Sequence, residues 1–206
     1  MSSEHTLVSK DKALPGRSEP TVIGPKHAVL GNTTVPPFPA NFETALFGMG
    51  CFWGVERFFY EQKGVYSTQV GYTGGYTPNP TLDEVYTGLT GHTEVVRVIY
   101  DPSQISYATL LKLFWENHDP TTLYRQRNDI GTQFRSAIYT YGAQQLEQAE
   151  TTRDEFQAAL TKAGFGQITT EIAPAGEFYY AADDQQQHLA RNKEATCGVV
   201  ATGVTL

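Results

Sequence analysis

A chain of 206 residues, 40% hydrophobic and 12% aromatic, has the apolar mass for one sizeable core but too little length for two comfortable domains. The formal net charge is -7 and the 15 Lys and Arg are scattered, which argues against a nucleic-acid partner and against an anionic membrane surface. No apolar run approaches the ~18 residues that span a bilayer, so no membrane association is expected.

The polar start, Met1 to Lys12, offers no apolar stretch for a signal peptide, which makes the cytoplasm the default location. Residues 1–40 contain six prolines, at 15, 20, 25, 36, 37 and 39, and no apolar periodicity. Proline fixes φ and removes a donor, so this stretch reads as an extended arm on or beside a single catalytic domain over 41–206. A short apolar run over 44–49 predicts a buried strand, broken at Gly50-Cys51. A helix follows over 52–62, with Gly64 ending it. Residues 65–72 alternate as a strand. Gly71, Gly74, Gly75, Pro78 and Pro80 make a long loop, and Asn79-Pro80 reads as the cap and first position of a short helix through Val85. A strand over 93–100 places Glu94, Val96, Val98 and Tyr100 on one face. Ser106 caps a helix to about Asn117. Polar loop spans 121–132, and a fourth strand is expected over 133–140.

This β-α-β-β-α-β order predicts an α+β, ferredoxin-like split β-α-β two-layer sandwich with helices on one face. Beyond it, a helix over 143–163 carries Leu146, Ala149, Phe156, Leu160 and Ala163 on one stripe. An edge strand is expected over 168–172. Residues 190–206 read as an irregular, mobile tail.

The two cysteines, Cys51 and Cys197, are too few for a disulfide scaffold. Most such cysteines are small buried hydrophobes. Cys51 stands out because it lies where a strand turns into a helix, between Gly48, Gly50 and Gly54. Its sulfur would face unpaired N–H groups at the positive end of the helix, one way to favour a thiolate. Glu94, among apolar neighbours, is expected to hold its proton and serve as a general acid, provided the fold brings it to Cys51. The polar loop 125–136 suggests a site wall. Cys197, in a tail able to move, suits a resolving thiol. The five histidines, at 5, 27, 92, 118 and 188, have no short ligand spacing, so no metal is expected.

Gly50-Cys51-Phe52-Trp53-Gly54, Gly71-Tyr72-Thr73-Gly74-Gly75, Gly91-His92-Thr93-Glu94, Asn117-His118-Asp119-Pro120 and Gly131-Thr132-Gln133-Phe134-Arg135-Ser136 resemble, in order, the motifs of peptide methionine sulfoxide reductases of type A. The resemblance implies reduction of the S epimer of methionine sulfoxide, free or in proteins, by a Cys51 thiolate with Glu94 as acid. It implies a Cys51 sulfenic acid, a Cys51–Cys197 disulfide, and thioredoxin or a similar thiol as reductant. Phe52 and Trp53 would cage the substrate methyl, and Asp129 would bind its polar part. No cofactor is implied, and a monomer is the default.

The chain departs from the family pattern at Leu82 and Phe134, where members often carry tyrosines whose hydroxyls help bind the sulfoxide oxygen. Tyr72, Tyr76 and Tyr86 are the alternative sources of a hydroxyl. Gln185 and His188 stand where related chains tend to have His and Tyr, and Thr205 where some carry a further cysteine. The missing hydroxyls motivate a second reading, an impaired relative that binds methionine or senses oxidants. A thiol peroxidase using the same cysteines is a third.

Overall fold

The computed structural model describes residues 6–206. The chain runs β1 (Glu43–Gly48), α1 (Phe52–Tyr60), β2 (Val65–Thr73), α2 (Leu82–Tyr86), β3 (Thr93–Tyr100), α3 (Tyr107–Glu116), the two-residue strands β4 (Arg125–Gln126) and β5 (Asp129–Ile130), β6 (Ala137–Thr140), α4 (Ala143–Lys162), β7 (Glu171–Pro174), β8 (Tyr179–Tyr180) and α5 (His188–Arg191). Six strands form one sheet in the order β7-β6-β1-β3-β2-β8. Within it β3 lies antiparallel between β1 and β2, so β1-α1-β2 is the split unit that the sequence predicts. Among the described residues no helix is long and apolar enough to cross a membrane.

Strand alternation divides the core. Phe47, Val96, Val98 and Tyr100 face the helices and join Phe59, Leu110, Phe114, Trp115 and Phe156 in the main cluster. The Phe47 ring stacks at 5.3 Å on Phe59 from α1 and at 5.3 Å on Phe114 from α3. Leu46, Val95, Ala137 and Tyr139 face the other way, against Ala173, Ala175 and Phe178. On this second face the arm contributes Phe38, whose ring lies 5.4 Å from the Arg97 guanidinium; Phe178 covers the same group at 4.5 Å.

Several expected boundaries move. The short helix is capped by Thr81 and Glu84, which exchange a capping box, rather than by Asn79-Pro80. The fourth strand begins at Ala137 because Thr132–Phe134 forms a 3-10 turn, with Phe134 N–H donating to Gly131 O at 3.1 Å. The 121–132 loop holds the β4–β5 hairpin. The edge strand pairs over Glu171–Pro174, parallel to β6. On α4 the buried stripe is Gln145, Ala149, Phe156 and Leu160, while Leu146 is half-buried and Ala163 exposed. Gln145 takes the inner position because its amide donates to Thr44 O at 2.9 Å and accepts from Tyr141 N–H at 2.9 Å.

A buried polar knot ties the arm and the C-terminal region to α1. Glu56 Oε1 accepts from the Thr68 hydroxyl at 2.9 Å and from Gln187 Nε2 at 2.8 Å; Oε2 accepts from Gln187 N–H at 2.8 Å. His27 from the arm bonds the same Thr68 hydroxyl at 2.8 Å. Removing the acceptor strands three buried donors. Glu56→Ala is expected to cost about 3 kcal/mol in urea unfolding, more than any single substitution among the exposed residues of α4.

Candidate active site

β1 ends at Gly48, and Met49-Gly50 carry the chain from the end of this interior strand into α1. Gly50 has φ +93, and a Cβ there would fall 2.7 Å from the Gln126 side chain. Glycine therefore supplies both the turn and the room for the β4–β5 hairpin to close against it. Cys51 occupies the position just before the first turn of α1 and is half-buried.

Glu94 is the second residue of β3 and is fully buried. Its Oε2 accepts from the Phe52 N–H at 2.9 Å, which fastens the strand to the residue following Cys51. Its Oε1 has no hydrogen-bond partner among the described residues. Burial pushes the Glu94 carboxyl up to about 8, against the lowering effects of the Phe52 N–H and of the nearby Tyr86 hydroxyl. The carboxyl is therefore mostly protonated at pH 7, and it is bonded to the residue that follows Cys51.

A cavity of about 340 Å³ opens over Cys51, walled by Trp53, Tyr86, Asp129, Phe134 and Cys197. Trp53 is held rigidly: its indole N–H donates to Gln185 Oε1 at 2.9 Å, and its ring stacks on His188 at 4.0 Å. Gln185 and His188 thus act together on one side chain. Asp129 is exposed on the rim, in β5, opposite Gln126. Phe52 is placed differently from the sequence expectation. Its ring is buried in the core, 5.7 Å from Tyr72, and its backbone rather than its ring serves the site. Met49 and Gln126 also line the cavity and were not singled out from sequence. Met49 looked like one more core residue of the strand, and Gln126 like one more polar residue of the loop.

The tail returns to the site across α1. At Gly54 a Cβ would fall 2.9 Å from the Gly198 nitrogen, so the helix admits the tail only because that position lacks a side chain. Cys197 Sγ donates to the Cys51 carbonyl oxygen at 3.9 Å, which brings the two thiols close enough to couple their ionisation. This pairing reverses the expected ionisation. The contact with Cys197, then burial, then the Glu94 carboxyl hold the proton on Cys51 and push its thiol well up. Cys197 is lowered to about 7 by the same contact and by the Gly54 N–H. The helix terminus alone does not decide the matter, because a second sulfur competes for the proton.

Comparison with known proteins points one way. The family model described as peptide methionine sulfoxide reductase matches residues 43–205. The peptide methionine sulfoxide reductase MsrA of Azotobacter vinelandii is 57% identical over 204 residues, covering 98% of this chain and 94% of that protein. Among solved structures, methionine sulfoxide reductase A of Corynebacterium diphtheriae superposes with a TM-score of 0.88 at 44% identity, over 98% of this chain and 100% of the other. Mxr1 of Saccharomyces cerevisiae in reduced form gives 0.72 at 29% identity, over 84% and 96%; Mxr1 has also been solved in complex with Trx2.

The coupling between the two sulfurs is directly testable. Cys197→Ala removes the largest influence that keeps the proton on Cys51. Alkylation of Cys51 by iodoacetamide at pH 7, followed by mass spectrometry, is expected to be several-fold faster in this variant than in the wild type.

Proposed function

The chain belongs to the peptide methionine sulfoxide reductase A family and is a thiol-dependent reductase of methionine sulfoxide, and on that premise we propose the roles of its residues. Cys51 is the nucleophile, Glu94 the general acid and Cys197 the resolving thiol. The observation that carries this reading is the neutral, half-satisfied carboxyl of Glu94, fastened to the residue after Cys51 beneath a cavity that also holds the second sulfur.

The substrate is the S epimer of methionine sulfoxide, free or in a protein. Trp53 forms the apolar wall for its methyl group, with the Phe52 ring filling the core beneath, and Asp129 meets its polar part at the rim. Once the tail lifts from Cys51, the contact that most raises its thiol is gone. The Cys51 sulfur attacks the sulfoxide sulfur while Glu94 passes its proton to the oxygen, and the proton released by Cys51 restores the acid. Methionine leaves, and the oxygen ends on Cys51 as a sulfenic acid; the thiol has lost the two electrons that the sulfoxide gained. Cys197 then attacks that sulfur, water departs, and a Cys51–Cys197 disulfide forms. A dithiol protein such as thioredoxin reduces it; the solved complex of Mxr1 with Trx2 supports this choice. Two cysteines that must be returned to thiols suit a reducing compartment such as the cytoplasm, and a monomer suffices for every step.

The roles separate experimentally. Cys51→Ser is expected to abolish reduction of the S epimer by dithiothreitol. Cys197→Ser is expected to yield one methionine per enzyme and then stop when thioredoxin is the reductant. Peptide mapping of the wild type after one equivalent of sulfoxide should show a 51–197 bridge; its absence would remove Cys197 from the cycle. Faster consumption of hydrogen peroxide than of sulfoxide would favour a peroxidase instead.

The acid has its own signature. With Glu94 at about 8, its proton is present below that pH and lost above it. kcat/KM is therefore expected to fall as pH rises through about 8. Glu94→Gln should lack this limb and run slower by on the order of a hundredfold.

A further inference from the structure

Positions 82 and 134 have no hydroxyl to offer the sulfoxide oxygen. Leu82 packs half-buried against the core cluster, and Phe134 is a buried ring in the cavity wall. Developing negative charge on that oxygen still needs donors besides one carboxyl, because an unmet oxyanion in a desolvated site costs about a hundredfold or more in rate.

Three tyrosines stand near, and their placement distinguishes them. Tyr72 pairs across from Glu94 in the β2–β3 ladder, and its hydroxyl has no partner, but the residue is sealed in the core and lines no part of the cavity. Tyr76 packs against Gly91, with a ring carbon 3.2 Å from where a Cβ would stand there, and also stays outside the cavity lining. Tyr86, the last residue of α2, lines the cavity together with Cys51. Its ring leans on the Phe134 ring at 5.8 Å and 57°, so the apolar residue at 134 serves as its backing. Tyr86 is 47% exposed, on the rim that a bound substrate would cover.

We propose that Tyr86 is a catalytic residue: its phenolic O–H donates to the sulfoxide oxygen in the cavity that it lines together with Cys51. This rests on the reductase reading above and names a group that reading leaves out. The surroundings agree. Burial, the Glu94 carboxyl and the Cys51 sulfur all keep the Tyr86 phenol protonated, so it remains a donor throughout the working pH range. No proton need leave it: Glu94 supplies the proton that stays on the oxygen, and Tyr86 holds that oxygen while the S–O bond breaks.

The test is Tyr86→Phe, which keeps the ring and its contact with Phe134. Single-turnover reduction of the S epimer of a blocked methionine sulfoxide is measured beside the alkylation rate of Cys51 by iodoacetamide. The expected result is a loss of tenfold or more in the rate of methionine formation at saturating sulfoxide, with alkylation unchanged. A smaller loss, or alkylation falling in parallel, would overturn the proposal, since the hydroxyl would then be idle or would act on the thiol. Failure of the underlying reading looks different: the wild type itself would form no methionine, or Cys51→Ser would still form it.

Discussion

One hydrogen bond organises the site: the Phe52 N–H to the buried carboxyl of Glu94, at 2.9 Å. It joins the middle of the sheet to the start of α1, and so fixes the Glu94 carboxyl and Cys51 relative to each other. The bond is also the reason the carboxyl is tolerated where it is. A buried charge would be expensive, and one N–H is too little to hold it ionised, so the group keeps its proton. The same balance that makes Glu94 acceptable to the fold suits the role of acid proposed for it. The second oxygen is left without a partner, as are the buried hydroxyls of Tyr72, Tyr107 and Thr132.

The remainder of the molecule can be read as support for that juncture. Glycine at 50 and at 54 lets two unrelated segments, the β4–β5 hairpin and the C-terminal tail, close over the same few residues. Gln185, His188 and the Glu56–Gln187 bonds anchor the chain shortly before the tail begins, so that Cys197 hangs from a fixed point. The arm contributes to this anchorage through His27 and covers the far face of the sheet through Phe38. Its function is therefore structural over the residues whose contacts are described.

Much of this was legible in the sequence. The split β-α-β order followed from hydrophobic periodicity, and Glu94 could be assigned to the core face because Val96, Val98 and Tyr100 share its parity. The nucleophile stood out because glycines crowd around it. What escaped has physical reasons. Gln145 reads as a surface residue of α4, yet it is buried because its amide closes the backbone of Thr44 and Tyr141, contacts with no trace in a helical pattern. Phe52 and Trp53 are equally aromatic and adjacent, but helical geometry sends one ring into the core and the other to the cavity. The ionisation of the two thiols was not readable at all, since it depends on residues 146 positions apart meeting in space.

The cavity over Cys51 counts Cys197 among its own walls. A substrate seated over Cys51 therefore has the second sulfur for a neighbour, and the thiol that would close a bridge is already at hand when the product leaves. Cys51 itself stays half-buried at the floor of this opening, so any reagent that reaches it comes by the way the substrate does.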